Sequence, residues 1–200
     1  AEVARERNVE TFVGFFGDEM ANRIIVDYGY CDLIVGNNVF AHVPAIQEFV
    51  TSLKNCLAPS GFISLEFPHL ANLVENNFFD TIYDEHYFYF SLLAVQRIFS
   101  EFGLKVMEVQ EVTTHGGSLR VFATHVENNA VLIDASVGKV LARESTMNLN
   151  SAAGYENLQL KTDQVRTEAL ASLNKEKSAG QKIAAFGAAA AASGSASPPS

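Results

Sequence analysis

The stretch Asp32-Leu-Ile-Val-Gly-Asn-Asn-Val-Phe-Ala-His-Val-Pro44 decides the fold class of this chain. Residues 32–35 form a short apolar run of β-formers, which is typical of a strand buried on both faces of a parallel sheet. Ligands of parallel α/β sheets bind beyond the carboxyl ends of the strands, so the following loop, with two amides and His42, is a candidate ligand site. Taken alone, residues 36–38 fit an ordinary loop better, because Gly and Asn tolerate left-handed backbone.

Helix and strand signals alternate on both sides of this stretch, which predicts an α/β protein. Pro44 suits the first turn of a helix, and the apolar spacing of residues 46–57 predicts an amphipathic helix there. Other helices are predicted over residues 1–8, 19–26 (capped by Asp18), 71–76 and 92–102, and other strands over residues 10–16 and 62–67. Residues 104–112 and 118–125 alternate cleanly and predict a terminal antiparallel hairpin.

Composition and charge exclude several classes of function. The chain has 200 residues, 48% of them hydrophobic, and a net charge of −9, which argues against a non-specific binder of nucleic-acid backbone. No apolar run approaches the roughly 18 residues that cross a membrane. The two cysteines, Cys31 and Cys56, are too few for a disulfide framework, and we interpret them as reduced thiols of a cytoplasmic protein.

The character of the sequence changes near residue 127. Residues 127–180 are polar and rich in helix formers, which indicates a helical connector with a solvated face. Residues 181–190 predict a strand that runs into a glycine turn and opens a second α/β domain, and residues 191–200 have the low complexity of a disordered tail. Both ends look cut, so we expect a fragment of a longer protein.

The strongest candidate for chemistry is Phe79-Asp-Thr-Ile-Tyr-Asp-Glu-His-Tyr-Phe-Tyr-Phe-Ser91, hereafter the site segment. A helix would put Tyr83, His86 and Phe90 on one face, whereas a strand would alternate Tyr83 against His86. In either case ionisable groups lie against apolar rings, where burial raises a carboxylate pKa and lowers an imidazole pKa, as acid–base catalysis requires. The alternative is an aromatic core segment with a satisfied histidine and a capping aspartate.

Two further positions are open to a functional or a structural interpretation. Glu66 lies near the end of the strand predicted over residues 62–67, and is either a buried functional carboxylate or a solvent-facing one. Thr113-Thr-His-Gly-Gly-Ser118, hereafter the Gly-Gly loop, lets backbone N–H groups approach an anion closely. The alternative for this loop is a plain hairpin turn with His115 exposed.

The sequence resembles the sugar C-methyltransferase family, whose members use S-adenosylmethionine to methylate carbon 3 of nucleotide-linked 4-keto sugars. The resemblance is carried, in the family's order, by Asp32-Leu-Ile-Val-Gly-Asn-Asn-Val-Phe-Ala-His-Val-Pro44, Phe79-Asp-Thr-Ile-Tyr-Asp-Glu-His86 with Tyr89-Phe-Ser91, His115-Gly-Gly-Ser-Leu-Arg-Val121, and Lys182-Ile-Ala-Ala-Phe-Gly-Ala-Ala-Ala190. The second and third blocks are the most specific.

The resemblance implies a class I methyltransferase fold, a Rossmann-like sheet that is incomplete at the N-terminus in this chain. Residues 1–126 would form a partial methyltransferase domain, and residues 181–190 the start of a C-terminal Rossmann-like domain. The implied cofactor is S-adenosylmethionine and the implied partner a nucleotide-linked sugar. Zinc is expected only in a separate N-terminal domain, so no metal site is expected here.

The resemblance also implies roles for individual residues, carried over position by position. The catalytic cluster comprises His86 as general base with Glu85, Tyr83 and His42; the cofactor borders Gly36, Asn37, Asn38 and Val39; and the substrate side comprises His115, Gly116, Gly117, Ser118 and Arg120. In this hypothesis His86 removes the proton beside the ketone, and Glu85 orients His86 or binds the sugar. Tyr83 and His42 contact the sugar oxygens or the enolate.

Three other functions remain open from the sequence. A related methyltransferase with another carbon or hydroxyl acceptor is the first, and a non-catalytic binding or assembly module is the second. A nicotinamide-dependent oxidoreductase is the weakest, since the chain contains no GxGxxG motif.

Overall fold

The computed structural model describes residues 2–184 and has the predicted α/β architecture. The strands are β1 (Cys31–Asn37), β2 (Leu57–Pro68), β3 (Leu104–Val112) and β4 (Ser118–His125). The helices are α1 (Glu2–Glu6), α2 (Asp18–Tyr28), α3 (Ile46–Cys56), α4 (Leu70–Asn76), α5 (Leu92–Glu101), α6 (Ala135–Thr146) and α7 (Glu156–Ser178). Short 3-10 turns lie at Phe40–His42, Phe79–Thr81, Thr114–Gly116 and Ala152–Tyr155.

The four strands form one mixed sheet in the order β1-β2-β4-β3. β1 and β2 are parallel and are joined through α3, whereas β4 pairs antiparallel with both β2 and β3. The terminal antiparallel hairpin predicted from the sequence is therefore confirmed. Because β1 and β2 are parallel neighbours, the loops after their carboxyl ends lie at the same edge of the sheet.

Phe40, which follows β1, lies at the centre of the hydrophobic core. It is fully buried, and its ring stacks on Phe90 with a centroid separation of 4.4 Å. The core also contains Phe67 of β2 and Phe99 of α5, whose ring centroids lie 5.7 and 6.0 Å from that of Phe40. Aromatic packing thus holds the loop after β1 against the C-terminal end of the site segment.

Two predictions about the first half of the chain are wrong. Residues 10–16 form no strand. β1 is not buried on both faces, since Leu33 and Val35 are 60% and 58% exposed. The reason is that only one face of β1 packs on the core, through Ile34, whereas Leu33 and Val35 point to the opposite face, which the described residues leave exposed.

Asp18 does not cap α2 as predicted. Gly17 occupies the N-cap position without a side-chain hydrogen bond, and Asp18 is the first helical residue. Its carboxylate instead accepts a hydrogen bond of 2.7 Å from the hydroxyl of Ser52 in α3. The acidic side chain therefore joins two neighbouring helices.

The site segment is neither the helix nor the strand that its pattern allows. After the 3-10 turn at Phe79–Thr81 it is irregular, and the backbone N–H groups of Tyr87 and Phe88 donate to the carbonyl of Ala41, at 2.9 and 3.3 Å. Because these donors bond to a distant loop, they are not available to a regular helix or sheet. The segment is shaped by tertiary contacts.

The polar region after residue 127 contains one helix that joins the core and one that does not. Val137 and Val140 of α6 are buried in the main core, so α6 packs with the sheet although it lies in the predicted connector. α7 has no buried residue. Residues 181–184 form no strand, and the rest of the predicted strand, like the tail, lies outside the described residues. No helix within residues 2–184 has the length and apolarity needed to cross a membrane.

Candidate active site

The site segment and the loop after β1 meet beyond the carboxyl ends of β1 and β2. His42 lies in the 3-10 turn after β1, and its Nδ1 donates to the carbonyl of Glu85 at 2.9 Å. The imidazoles of His42 and His86 lie edge to face with centroids 4.7 Å apart. Three of the four predicted catalytic side chains, those of His42, Tyr83 and His86, therefore form one cluster.

The hydrogen bonds of His86 define its tautomer. Its Nδ1 lies 3.3 Å from the carbonyl oxygen of Thr81, and a carbonyl only accepts, so Nδ1 carries the proton. The other nitrogen, Nε2, accepts from the hydroxyl of Tyr83 at 3.3 Å. His86 therefore carries an unprotonated nitrogen beside the hydroxyl of Tyr83, and an unprotonated nitrogen is what a general base needs.

The environment keeps His86 neutral. Burial, followed by the neighbouring His42, lowers the pKa of His86 below 6.5, while the Thr81 carbonyl and the Glu85 carboxylate act in the opposite direction. An imidazole with a lowered pKa is unprotonated at neutral pH. Its geometry and its protonation state therefore suit the same role.

Glu85 contributes its backbone rather than its side chain to this cluster. Its carbonyl accepts from His42, whereas its carboxylate is exposed and makes no hydrogen bond to His86 within residues 2–184. The negative charge of Glu85 opposes the lowering of the His86 pKa but does not fix the orientation of the ring. The carbonyl of Thr81 makes the orienting contact that the sequence hypothesis gave to Glu85.

Tyr89 and Thr81 also belong to the cluster, and neither was among the predicted catalytic residues. The hydroxyl of Tyr89 accepts from the backbone N–H of Tyr83 at 3.1 Å and donates to the carbonyl of Thr81 at 3.4 Å. Burial raises the pKa of Tyr89, so its hydroxyl stays protonated. The density of tyrosines in the segment signalled a polar cluster, but a role that depends on a backbone carbonyl leaves no mark in a side-chain pattern.

Glu66 is the buried carboxylate of the two alternatives considered from the sequence. It is 7% exposed at the carboxyl end of β2, and its Oε2 accepts from Arg120 Nε at 3.1 Å and Nη2 at 2.7 Å. Its Oε1 accepts from the hydroxyl of Thr114 at 2.8 Å. The Thr114 hydroxyl and then Arg120 lower the pKa of Glu66. Arg120, predicted on the substrate side, is therefore held by Glu66, and its side chain remains 37% exposed.

The Gly-Gly loop needs its glycines for backbone shape and for packing. His115, Gly116 and Gly117 have φ values of 52°, 79° and 111°, a left-handed run that side chains with a Cβ adopt at a cost. A Cβ on Gly117 would clash with the amide of Asn72. The N–H of Gly117 donates to the Thr114 carbonyl within the turn, so that group is not directed at an anion. Ser118 is buried and its hydroxyl donates to the same carbonyl.

The loop predicted to border the cofactor is attached to Glu66. The N–H of Asn38, a residue with φ of 54°, donates to the Glu66 carbonyl at 2.8 Å. The side-chain Oδ1 of Asn38 is buried and has no hydrogen-bond partner among residues 2–184. Asn37 and Val39 are exposed. A Cβ on Gly36 would lie 2.8 Å from the side chain of Leu65, so a larger residue here requires that buried leucine to move.

A cavity of about 670 Å³ lies beside His42. Its walls are largely apolar and include Phe15, Phe16, Met20, Val39, His42 and Val43. This volume and lining are typical of small-molecule sites. His42 contributes to both the cavity and the His86 cluster, so the two are adjacent. No group of His, Cys, Asp or Glu side chains in the described part of the chain is arranged to hold a metal ion.

Two family models together match most of the chain. Residues 3–109 match a model described as a methyltransferase domain, and residues 113–194 match one described as a C-methyltransferase C-terminal domain. The chain is also 34% identical over 188 residues to the C-methyltransferase NovU of Streptomyces niveus. That alignment covers 94% of this chain and 44% of NovU, so the chain spans less than half the length of this curated relative.

Solved structures with a similar fold are more distant. A SAM-dependent methyltransferase from Anabaena variabilis matches with a TM-score of 0.46 and 15% identity, over 62% of this chain and 63% of that one. The PH0226 protein from Pyrococcus horikoshii matches with a TM-score of 0.43 and 16% identity, over 62% and 64%. The family assignment accordingly depends on the family models.

Proposed function

This chain belongs to the methyltransferase domain family, and we propose that it carries the proton-abstracting site of an S-adenosylmethionine-dependent C-methyltransferase acting on a nucleotide-linked 4-keto deoxysugar. The observation that carries the proposal is the hydrogen bonding of His86, which leaves Nε2 unprotonated and basic. Its ring packs against that of His42, and His42 lines the apolar cavity. The match of residues 113–194 to C-methyltransferases supports methylation at carbon rather than oxygen.

His86 removes the proton from the sugar carbon beside the ketone. The C–H bond breaks, the proton passes to Nε2, and the electron pair enters the carbonyl as an enolate. The Thr81 carbonyl stabilises the imidazolium that forms, because it already accepts from Nδ1. Once Nε2 of His86 carries the proton, the hydroxyl of Tyr83 is free to donate to the enolate oxygen, where a donor counts most as charge develops. His42 carries its own proton on Nδ1, so its Nε2 accepts a hydrogen bond from a sugar hydroxyl.

The residues present fit part of a cofactor site. S-adenosylmethionine supplies, when bound, an electrophilic methyl group for the carbon nucleophile. In this proposal residues 36–39 hold its polar end, where the buried Oδ1 of Asn38 is an acceptor without a hydrogen-bond partner among residues 2–184. The cavity beside His42 takes an apolar or aromatic portion of the bound molecules, since Phe15, Phe16 and Val43 line it.

The substrate approaches from the side of the Gly-Gly loop. Arg120 supports an anionic or hydroxyl-bearing group there, because Glu66 fixes the guanidinium while part of it stays exposed. His115 has the exposed, left-handed geometry of a loop tip and is the member of the loop available to the substrate, whereas the buried Ser118 holds the turn through the Thr114 carbonyl. Arg120 thereby selects for the nucleotide-linked form of the sugar.

The direct test is to incubate the chain with a nucleotide-linked 4-keto deoxysugar in D2O. Proton NMR then monitors the exchange of the sugar C3 hydrogen for deuterium. We expect exchange above the protein-free rate, reduced about 10²–10⁴-fold in His86→Asn, the usual cost of losing a general base. The matched control is His125→Asn, whose ring contacts the Leu57 carbonyl at the opposite end of the sheet. Equal exchange in wild type and His86→Asn overturns the assignment.

Calorimetric titration with S-adenosylmethionine and S-adenosylhomocysteine tests the cofactor separately. Binding that weakens in Asn38→Ala and persists in His86→Asn supports the proposed division of roles. A product with a new O–CH₃ rather than C–CH₃ signal would instead identify a methyltransferase for a hydroxyl acceptor.

A further inference from the structure

A buried pair of ionisable side chains lies outside the catalytic cluster. Nε2 of His69, at the end of β2, lies 2.7 Å from the Glu144 carboxylate in α6, and the two residues are 1% and 2% exposed. Nδ1 of His69 is buried and has no hydrogen-bond partner within residues 2–184. Such a pair costs desolvation and is weak evidence for stability as such. Its other contacts indicate what it does.

The same carboxylate binds the N-terminus of α5. Glu144 Oε1 accepts from the N–H of Leu92 at 2.6 Å, and Oε2 accepts from the N–H of Leu93 at 2.9 Å. These are first-turn donors that lack partners within the helix, and the positive end of the helix dipole favours an anion there. Leu92 directly follows the site segment, so Glu144 fixes the position at which that segment ends.

His69 extends this link to the Gly-Gly loop. Its backbone N–H donates to the carbonyl of Gly117 at 3.1 Å, and the next N–H, that of Leu70, donates to the carbonyl of Phe90 at 2.9 Å. His69 also lines a small space together with His115 of the Gly-Gly loop and with Thr81 and Tyr89 of the catalytic cluster. One carboxylate therefore joins α6, the end of β2, the Gly-Gly loop and the end of the site segment.

We propose that Glu144 is a positioning residue, which sets the distance between the segment bearing His86 and the Gly-Gly loop. Its part in catalysis rests on the proposed function, whereas its part in geometry does not. A merely structural contact would stabilise the whole core, because α6 also packs through Val137 and Val140. A positioning contact acts on the two loops it connects.

Amide hydrogen exchange of Glu144→Gln and Val140→Ala separates these roles without any need for activity. In Glu144→Gln we expect amides of residues 79–94 and 114–118 to exchange at least about tenfold faster relative to the β2–β4 amides, since charged hydrogen bonds are lost locally. The imidazole NMR signals of His86 should shift as well. In Val140→Ala, exchange should rise across the core, with the His86 signals unmoved. The same uniform pattern in both variants overturns the proposal.

His69→Gln is the second variant, for use if Glu144→Gln does not fold. This variant keeps the hydrogen bonds of the Glu144 carboxylate to the N-terminus of α5 and removes only the imidazole ring that it holds. Amide exchange should therefore rise at residues 114–118 and not at Leu92 or Leu93. Unchanged exchange at both places overturns the proposal. The C3 deuterium-exchange assay then separates the two ideas. If the variants show faster local amide exchange but the wild type catalyses no C3 exchange, only the proposed function is refuted. If the wild type catalyses C3 exchange but the variants show no faster local amide exchange, only the positioning role is refuted.

Discussion

Phe40 and Phe90 stack with ring centroids 4.4 Å apart and ring planes 18° from parallel. Phe40 comes from the loop after β1, and Phe90 is the next-to-last residue of the site segment. The contact joins the two parts of the chain that supply His42 and His86. Hydrophobic packing thus brings together a polar cluster whose members are distant in sequence.

Replacement of Phe40 by Ala should destabilise the protein by about 3–5 kcal/mol, the usual cost of truncating a fully buried aromatic side chain. Chemical denaturation followed by circular dichroism measures the change. Phe15→Ala is the matched control, since Phe15 is 101% exposed and its truncation should leave the free energy of unfolding nearly unchanged. Equal effects of the two substitutions would contradict the packing described here.

The pKa of His86 should lie below 6.5 and should rise, without reaching an ordinary value, in His42→Gln. Burial is the larger cause of the lowered pKa and persists in the variant, whereas the repulsion from a second imidazole is removed. NMR titration of the imidazole carbon-bound protons measures both values. In the control His125→Gln the pKa of His86 should not move. A pKa above 6.5 in the wild type would contradict the buried, neutral base.

The sequence predicts the sheet well because its signals are local. The alternation over residues 104–112 and 118–125 predicts the hairpin, and the run of β-formers before Gly36 predicts the strand β1, though not which of its faces is covered. The site segment could not be predicted in this way. Its shape depends on hydrogen bonds to the carbonyl of Ala41, which precedes Tyr87 by 46 residues in the sequence.

The sequence contains a sign that Glu144 is buried. This residue follows Val137 and Val140 at helical spacing, so a carboxylate occupies the apolar face of α6. The polar composition of residues 127–180 as a whole predicts a solvated connector, so it does not indicate that one carboxylate of α6 is buried in the core. The partner, His69, lies in another element, and no sequence rule joins the two.

The carboxylate of Glu66 should contribute stability that depends on pH. Because its pKa is lowered in the folded protein, the contribution is complete above the ordinary value of 4.5 and is lost as pH falls through the lower folded value. In Glu66→Gln the free energy of unfolding should therefore decrease less steeply on acidification below 4.5. Urea denaturation from neutral pH downward gives both curves. The exposed Glu176→Gln should keep the wild-type slope, and a wild-type slope in Glu66→Gln as well would refute the prediction.

Gly117→Ala and Gly138→Ala should change stability in opposite directions. Gly117 has φ of 111°, and its Cβ would displace the amide of Asn72, whose Oδ1 accepts from Arg143 at 2.7 Å. Gly138 lies inside α6 with open space around its Cα, so alanine there should stabilise by about 0.5–1 kcal/mol. Thermal unfolding gives the sign of each change. Adding Asn72→Ala to Gly117→Ala removes the clash but not the left-handed backbone, so it should restore only part of the loss. Complete restoration would mean that the glycine is required only by the close packing against Asn72. No restoration would mean that it is required only by the left-handed backbone.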